Sequence, residues 1–117
     1  MDYKFKKENH DFWVERLKEN NFNQVCTNDV ALDQIESNQI LSKISNNKSI
    51  LEIGCGNGLL YEDLKKKFSL SKYVGTDFVN ELVDECDSKK IDGKDTFLQL
   101  DMTEVNTNTF NSKFDFI

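Results

Sequence analysis

Short apolar runs recur along the second half of the chain, and the first three end at or just before a glycine or a carboxylate. Runs of this length, rich in isoleucine, leucine and valine, predict strands that are buried inside a parallel sheet. They occupy residues 50–53, 73–77 and 96–101, and a fourth run begins at residue 114. Because longer polar stretches separate them, the pattern predicts an α/β fold in which strands and helices alternate.

Two stretches between these runs have the spacing of amphipathic helices. Leu60, Leu64 and Phe68 repeat every four positions, so this face should pack against the sheet. The lysines at residues 65–67 should be solvated at the end of the same helix, where cations suit the helix dipole. A second helix should begin near Asn80, and its inner face comprises Leu82, Val83 and Cys86.

The first 47 residues have weaker patterns, which predict two helices. Residues 1–9 are polar and mixed, and we expect a partly frayed terminus there. Asp11 should cap a short helix over residues 12–17. Asn28 or Asp29 should cap a second helix that runs to about residue 45. The apolar positions of this second helix are Leu32, Ile35, Ile40, Leu41 and Ile44.

A glycine-rich turn follows the first apolar run, with Gly54, Gly56 and Gly58 at alternate positions. Glycine permits backbone angles and close approaches that a Cβ atom would block. A strand, a glycine turn and a helix in this order form a cradle for a nucleoside-type cofactor at the carboxyl end of a parallel sheet. The alternative is a turn with a purely structural role.

Two residues beside the turn bear on the kind of cofactor. The dinucleotide fingerprint requires glycine or alanine at the position that Leu59 occupies. Glu52 places a carboxylate two residues before the first glycine, where it would repel a pyrophosphate. A ligand with positive groups and no phosphate suits this charge better. S-adenosylmethionine, which carries a sulfonium and an ammonium group, is such a ligand.

Two more carboxylates end the second and third predicted strands. Asp77 follows Gly58 by about 20 residues, the position at which an acid can accept both ribose hydroxyls of an adenosine. Asp77 could instead, or in addition, be the N-cap of the next helix. Asp101 could accept a hydrogen bond from the amino group of adenine, and Met102 could pack on the adenine ring.

Composition narrows the classes of partner and compartment. The chain has 117 residues, room for one small domain, and a formal net charge of −6, which argues against a nucleic-acid partner. Its three cysteines form no CxxC pair and His10 is the single histidine, so we expect reduced thiols, a surface histidine and no metal site. No apolar run has the length of a membrane span or of a signal peptide core, and we expect a cytoplasmic protein.

Taken together, the motifs resemble those of the class I S-adenosylmethionine-dependent methyltransferases. Residues 51–58 are similar to the first motif of that family, hydrophobic, acidic, hydrophobic, then G-x-G-x-G. Residues 74–77 are similar to the acid-tipped second strand, residues 98–102 to the adenine-contacting third strand, and residues 114–117 to the opening of the fourth. The helix with Trp13 and Arg16 is a weaker match to an N-terminal helix of small-molecule members.

The resemblance implies a three-layer, Rossmann-like α/β fold with N-terminal helices and a mostly parallel sheet, truncated here after about four strands. It divides the chain into an N-terminal helical cap, residues 1–47, and a cofactor-binding domain, residues 48–117, that is incomplete at its C-terminus. Because the sheet of the family has seven strands, we expect a fragment whose catalytic residues lie beyond Ile117. An open sheet edge could then support self-association.

The resemblance also implies a function, transfer of the sulfonium methyl group to a nucleophile of a small molecule or protein. The cofactor-binding residues that it implies are Glu52, Gly54, Cys55, Gly56, Gly58, Asp77, Phe78, Asp101 and Met102. Trp13 and Arg16 could close over the ligand, although a packing tryptophan with an exposed arginine is the bland alternative. Two other functions stay open, a nucleotide-dependent oxidoreductase with a variant Rossmann turn and a non-catalytic binding module.

Overall fold

The computed structural model describes residues 2–19, 22, 25–26, 29–106, 108–110 and 113–117. In this part of the chain, helices precede and then alternate with strands. In chain order they are α1 Tyr3–Glu19, α2 Val30–Leu41, β1 Ser49–Ile53, α3 Leu59–Lys67, β2 Lys72–Asp77, α4 Asn80–Ser88 and β3 Thr96–Gln99. A short 3-10 helix, Met102–Glu104, follows β3. None of the helices in the described ranges combines the length and the apolar character that crossing a membrane requires.

The strands form one parallel sheet in the order β1-β2-β3. Ile50 is opposite Tyr73, and Gly75 is opposite Phe97. Parallel neighbours need a crossover connection, and α3 and α4 supply the two crossovers. The expected Rossmann-like α/β arrangement is therefore confirmed, and β1 begins one residue after the predicted cofactor-binding domain does. The domain division itself stays a prediction.

The last residues lie along the edge of β1 that β2 leaves open. Phe116 pairs with Ile50 in parallel, and the backbone N–H of Leu51 donates to the carbonyl of Phe116 at 3.0 Å. Asp115 adds a side-chain contact, because its Oδ2 accepts from the backbone N–H of Ser49 at 2.8 Å. The predicted fourth strand thus begins next to β1 as a single bridge.

One face of the sheet packs against α3 and α4 through a buried cluster. Tyr73 in β2 and Phe97 in β3 contribute from the sheet, and Leu64 and Cys86 contribute from the two helices. The ring of Tyr61 in α3 lies 4.6 Å from that of Tyr73 and 5.0 Å from that of Phe97, measured between centroids. Aromatic packing therefore joins α3 to both strands.

A buried carboxylate is satisfied inside this face. Asp95 is 2% exposed, and its Oδ2 accepts from the Tyr61 hydroxyl at 2.5 Å and lies 3.1 Å from Lys65 Nζ. The Tyr61 oxygen also accepts from the backbone N–H of Ile91 at 2.9 Å. Burial, together with the bond to Asp95, raises the pKa of Tyr61 to about 12. The expectation that Lys65 is solvated is wrong, because a buried carboxylate requires a partner of opposite charge.

Helix α1 is longer than predicted. It begins at Tyr3, so the expectation of a frayed terminus is wrong for residues 3–9, and Asp11 lies inside the helix and does not cap it. Ion pairs between side chains four residues apart support the added turns. Lys4 Nζ lies 3.8 Å from Glu8 Oε1, and Lys7 Nζ lies 2.5 Å from Asp11 Oδ2.

Helix α2 begins as predicted and ends earlier. Asp29 is its N-cap, with Oδ1 accepting from the backbone N–H of Leu32 at 2.9 Å; Asn28 lies outside the described residues. The helix ends at Leu41, and its buried stripe comprises Ser37 and Leu41, followed by Ile44. Three of the predicted core positions are exposed, because α2 contacts α3 along a different face: Leu32, Ile35 and Ile40.

We expect Tyr61→Phe to destabilise the fold by about 1–3 kcal/mol, since it leaves the N–H of Ile91 without its acceptor and removes one partner of buried Asp95. Urea unfolding at pH 7 measures this change. Tyr3→Phe is the matched control, because Tyr3 is 79% exposed. Equal stability of the two variants would contradict the assignment of Tyr61 to a buried network.

Candidate functional site

The turn between β1 and α3 has a left-handed backbone at three positions. The φ angles are +79° at Gly54, +54° at Gly56 and +78° at Gly58. Residues with a Cβ atom rarely adopt such angles, since the side chain then crowds the neighbouring carbonyl. At Gly56 space is limiting as well, because a Cβ atom there would lie 2.5 Å from Cys26 Sγ.

The carboxyl end of β2 holds this turn by its backbone N–H groups. The N–H groups of Gly54 and Cys55 both donate to the carbonyl of Thr76, each at 2.8 Å. The N–H of Gly56 donates to Asp77 Oδ2 at 3.0 Å, and that of Gly58 donates to the Cys55 carbonyl at 2.9 Å. The shape of the turn is thus fixed by the neighbouring strand.

Asp77 connects the turn to the start of α4. Its second oxygen, Oδ1, accepts from the backbone N–H of Val79 at 2.9 Å. Val79 is the N-cap of α4, so the expectation that Asp77 caps this helix is wrong. A carboxylate has about four acceptor positions, and two backbone donors leave acceptor capacity on both oxygens. The role of Asp77 toward a ribose stays a prediction.

A cavity of about 350 Å³ opens where the turn meets the carboxyl ends of the strands. Its size falls within the range of small-molecule sites. Six of the nine residues predicted to bind a cofactor line it: Gly54, Gly56, Asp77, Phe78, Asp101 and Met102. The structure therefore brings together residues from the turn, from β2 and from the segment after β3.

The other three predicted residues, Glu52, Cys55 and Gly58, are not among the residues that line this cavity. Side chains alternate between the faces of a strand, and Glu52 Oε2 accepts from the Tyr73 hydroxyl at 2.6 Å on the face that packs against the helices. Cys55 is buried beneath the turn, and a hydrogen bond with Cys86, together with burial, raises the pKa of its thiol. Gly58 is the N-cap of α3.

The position of Glu52 gives this carboxyl group an unusual affinity for a proton. Burial raises its pKa from 4.5 to about 7, the Tyr73 hydrogen bond opposes that rise, and the charge of Asp77 adds to it. Burial dominates because a half-buried carboxylate loses part of its hydration. Glu52 therefore exchanges its proton near neutral pH.

Asp101, which lines the cavity, has a strongly acidic carboxyl group. Its Oδ2 lies 2.5 Å from Lys6 Nζ in α1, and its Oδ1 accepts from the N–H and the hydroxyl of Thr103 at 2.9 and 2.6 Å. Hydrogen bonds from Lys6 and then Thr103 lower its pKa to about 2. Its contact with adenine stays a prediction, as does that of Met102, which is 64% exposed at the rim.

Helix α1 supplies part of the cavity wall, which sequence reasoning largely missed. Asn9 and Trp13 line the cavity, and Trp13 also packs against a small cluster that includes Val25, so the two readings of Trp13 are compatible. Arg16 is half-buried and does not follow the expectation of an exposed side chain, because its Nε donates to the Val25 carbonyl at 2.7 Å. No local pattern could reveal these contacts, since they depend on how α1 lies over the sheet.

Comparison with models of protein families gives a match. A family model described as "Methyltransferase domain" matches residues 50–117. This range begins in β1 and includes the glycine turn, β2, α4 and β3. No curated protein sequence is similar enough to the chain to count as a match.

We expect alanine substitutions to separate backbone strain from crowding at the turn. Gly54→Ala should cost roughly 1–2 kcal/mol through its φ angle alone, because a Cβ atom there has no atom within 4 Å. Gly56→Ala should cost more, and Cys26→Ala in the same chain should recover the difference. Urea unfolding measures all three. Gly93→Ala is the control, since Gly93 has neither constraint; a larger cost there than at Gly56 would contradict this geometry.

We expect Glu52 to make stability depend on pH. Its pKa is raised on folding, so the protonated group stabilises the fold below about pH 4.5, and this contribution is lost as the pH rises toward 7. Glu52→Gln should remove this loss. The stability of Glu52→Gln relative to the parent chain should therefore be higher at pH 8 than at pH 5, whereas the exposed control, Glu36→Gln, should show no such change. Parallel stability curves for all three chains would contradict the assignment.

Proposed function

We propose that this chain, which belongs to the methyltransferase domain family of class I S-adenosylmethionine-dependent enzymes, binds S-adenosylmethionine in the cavity beside the glycine turn. When bound, this cofactor supplies an electrophilic methyl group on its sulfonium. The chain would then be the donor-binding portion of a methyltransferase. The acceptor would be a nucleophile of a small molecule or a protein, because a net charge of −6 disfavours nucleic acid.

The proposal rests mainly on one observation, the hydrogen bonds that the backbone N–H groups of the turn make within the protein. A dinucleotide cofactor needs free N–H groups there to bind its pyrophosphate. In this chain those of Gly54, Cys55 and Gly58 already donate to carbonyls, and that of Gly56 donates to Asp77. Because these four donors are used internally beside a carboxylate, the turn suits a ligand without phosphate and with positive charge.

The remaining features of the cavity fit an adenosine-type ligand in the same way. Asp77 keeps acceptor capacity for ribose hydroxyls on both oxygens. Phe78, Leu100 and Met102 give the far part of the cavity an apolar character that suits a purine ring. An exposed Gly54 lets the backbone approach the ligand closely, since no atom lies within 4 Å of where its Cβ would be.

The role of these residues would be to hold the methyl donor and to exclude water. In methyl transfer the donor already carries its leaving group, so the contribution of the protein is the orientation of donor and acceptor. We also place the protein in the cytoplasm; its cysteines Cys26, Cys55 and Cys86 are free thiols, as is usual in a reducing compartment.

We expect the chain to bind S-adenosylhomocysteine, the product form of the cofactor, in a calorimetric titration and to show no saturable binding of NADH. Asp77→Ala should weaken this binding at least roughly tenfold, since a hydrogen bond to a charged group contributes about 1.5–3 kcal/mol. Asp84→Ala is the matched control, because Asp84 is exposed on α4. Circular dichroism of each variant reports whether the fold is retained.

Two results would contradict the proposal. Saturable binding of NADH without binding of S-adenosylhomocysteine would favour the oxidoreductase reading. Equal affinities of Asp77→Ala and the parent chain would remove the ribose role from Asp77.

A further inference from the structure

Helix α1 is held against the rest of the chain in two different ways along its length. Its second half is held by apolar packing, because Trp13, Val14 and Leu17 contact a cluster of buried side chains. Its first half lacks this packing, because Tyr3 and Phe5 are 79% and 56% exposed. Polar contacts therefore fix the first half.

Lys6 makes the main polar contact of this first half. Its Nζ lies 2.5 Å from Asp101 Oδ2 and 3.1 Å from Glu104 Oε1, both in the segment after β3. The side chains of Lys6 and Asp101 are only 19% and 16% exposed. The neighbouring Lys4, in contrast, has a side chain that is 78% exposed and pairs with Glu8 within the same helix.

The same face of α1 continues from Lys6 toward the cavity. Asn9 and Trp13 lie one and two turns further along and line the cavity. Between them, His10 Nε2 lies 3.1 Å from Glu81 Oε2 in α4. Lys6 thus connects the first half of α1 to the segment after β3, while the second half of α1 packs against the buried cluster.

We propose that Lys6 is a positioning residue that, through its ion pair with Asp101, holds the first half of α1 closed over the cavity and slows the escape of a bound nucleoside-type ligand. The part concerning the ligand rests on the proposed function. Asp101 then acts mainly as the anchor of α1, because one of its oxygens is bonded to Lys6 and the other to Thr103.

The first test needs no ligand. Hydrogen exchange of the backbone amides of residues 3–12 should be about fivefold faster in Lys6→Met than in the parent chain, the factor that a partly shielded ion pair supports. Lys4→Met, which loses only the exposed pair with Glu8, should speed exchange by no more than about twofold, and Lys6→Arg should restore slow exchange. High salt should speed exchange in the parent chain and have little effect on Lys6→Met.

A double-mutant cycle identifies the partner. Asp101→Asn should speed the exchange of residues 3–12 by a similar factor, and Lys6→Met combined with Asp101→Asn should add little further. Additive effects would show that Lys6 acts through another group and would overturn the proposal. Unchanged exchange in Lys6→Met would overturn it as well.

The second test follows the release of S-adenosylhomocysteine by the fluorescence of Trp13, the single tryptophan. Dissociation should be about fivefold faster from Lys6→Met than from Lys4→Met. If exchange is faster in Lys6→Met but S-adenosylhomocysteine does not bind to the parent chain, the contact of Lys6 with Asp101 is supported and the proposed function is rejected. Ligand binding with equal dissociation rates in both variants would retain the proposed function and overturn the closing role.

Discussion

The structure depends on a glycine turn whose backbone N–H groups donate to acceptors on the neighbouring strand. Between Ile53 and α3 the backbone is left-handed at three glycines, and the N–H groups of residues 54–56 point toward the carboxyl end of β2. Thr76 and Asp77 accept them, so the second strand completes the conformation of the first loop. The parallel register of β1 and β2 is what brings these acceptors within reach, with Ile53 opposite Thr76. The sheet and the glycine turn therefore form one structural unit.

The three acidic side chains in and beside the cavity also have partners within the protein. Asp77 binds backbone N–H groups, Asp101 pairs with Lys6, and Glu52 accepts from Tyr73. Three acids in a small region would repel one another if all were free and charged. Each is instead held by a different kind of partner, and burial raises the pKa of Glu52, which accepts from a neutral hydroxyl, to about 7.

The sequence predicts the strands and the turn well because both are local signals. Apolar runs and alternate glycines need no tertiary contact to be recognised, and the resemblance of residues 51–58 to a family motif adds the family, which the match over residues 50–117 confirms. Contacts between residues that are distant in the sequence are predicted less well. The contact of Lys6 with Asp101 joins residues 95 positions apart, and Lys65 faces a buried acid that lies after α4. Neither contact leaves a periodic pattern, so both lysines resemble solvated charges in the sequence.

Nuclear magnetic resonance tests the central claim most directly, because the chain has only five glycines and they divide into site and non-site positions. On titration with S-adenosylhomocysteine, the account predicts large shifts of the amide signals of Gly54 and Gly56, which line the cavity, and a smaller shift at Gly58. The signal of Gly93, in the loop before β3, should stay in place. Shifts at Gly93 that equal those at Gly54 and Gly56, or no shift at the turn under saturating ligand, would contradict the account.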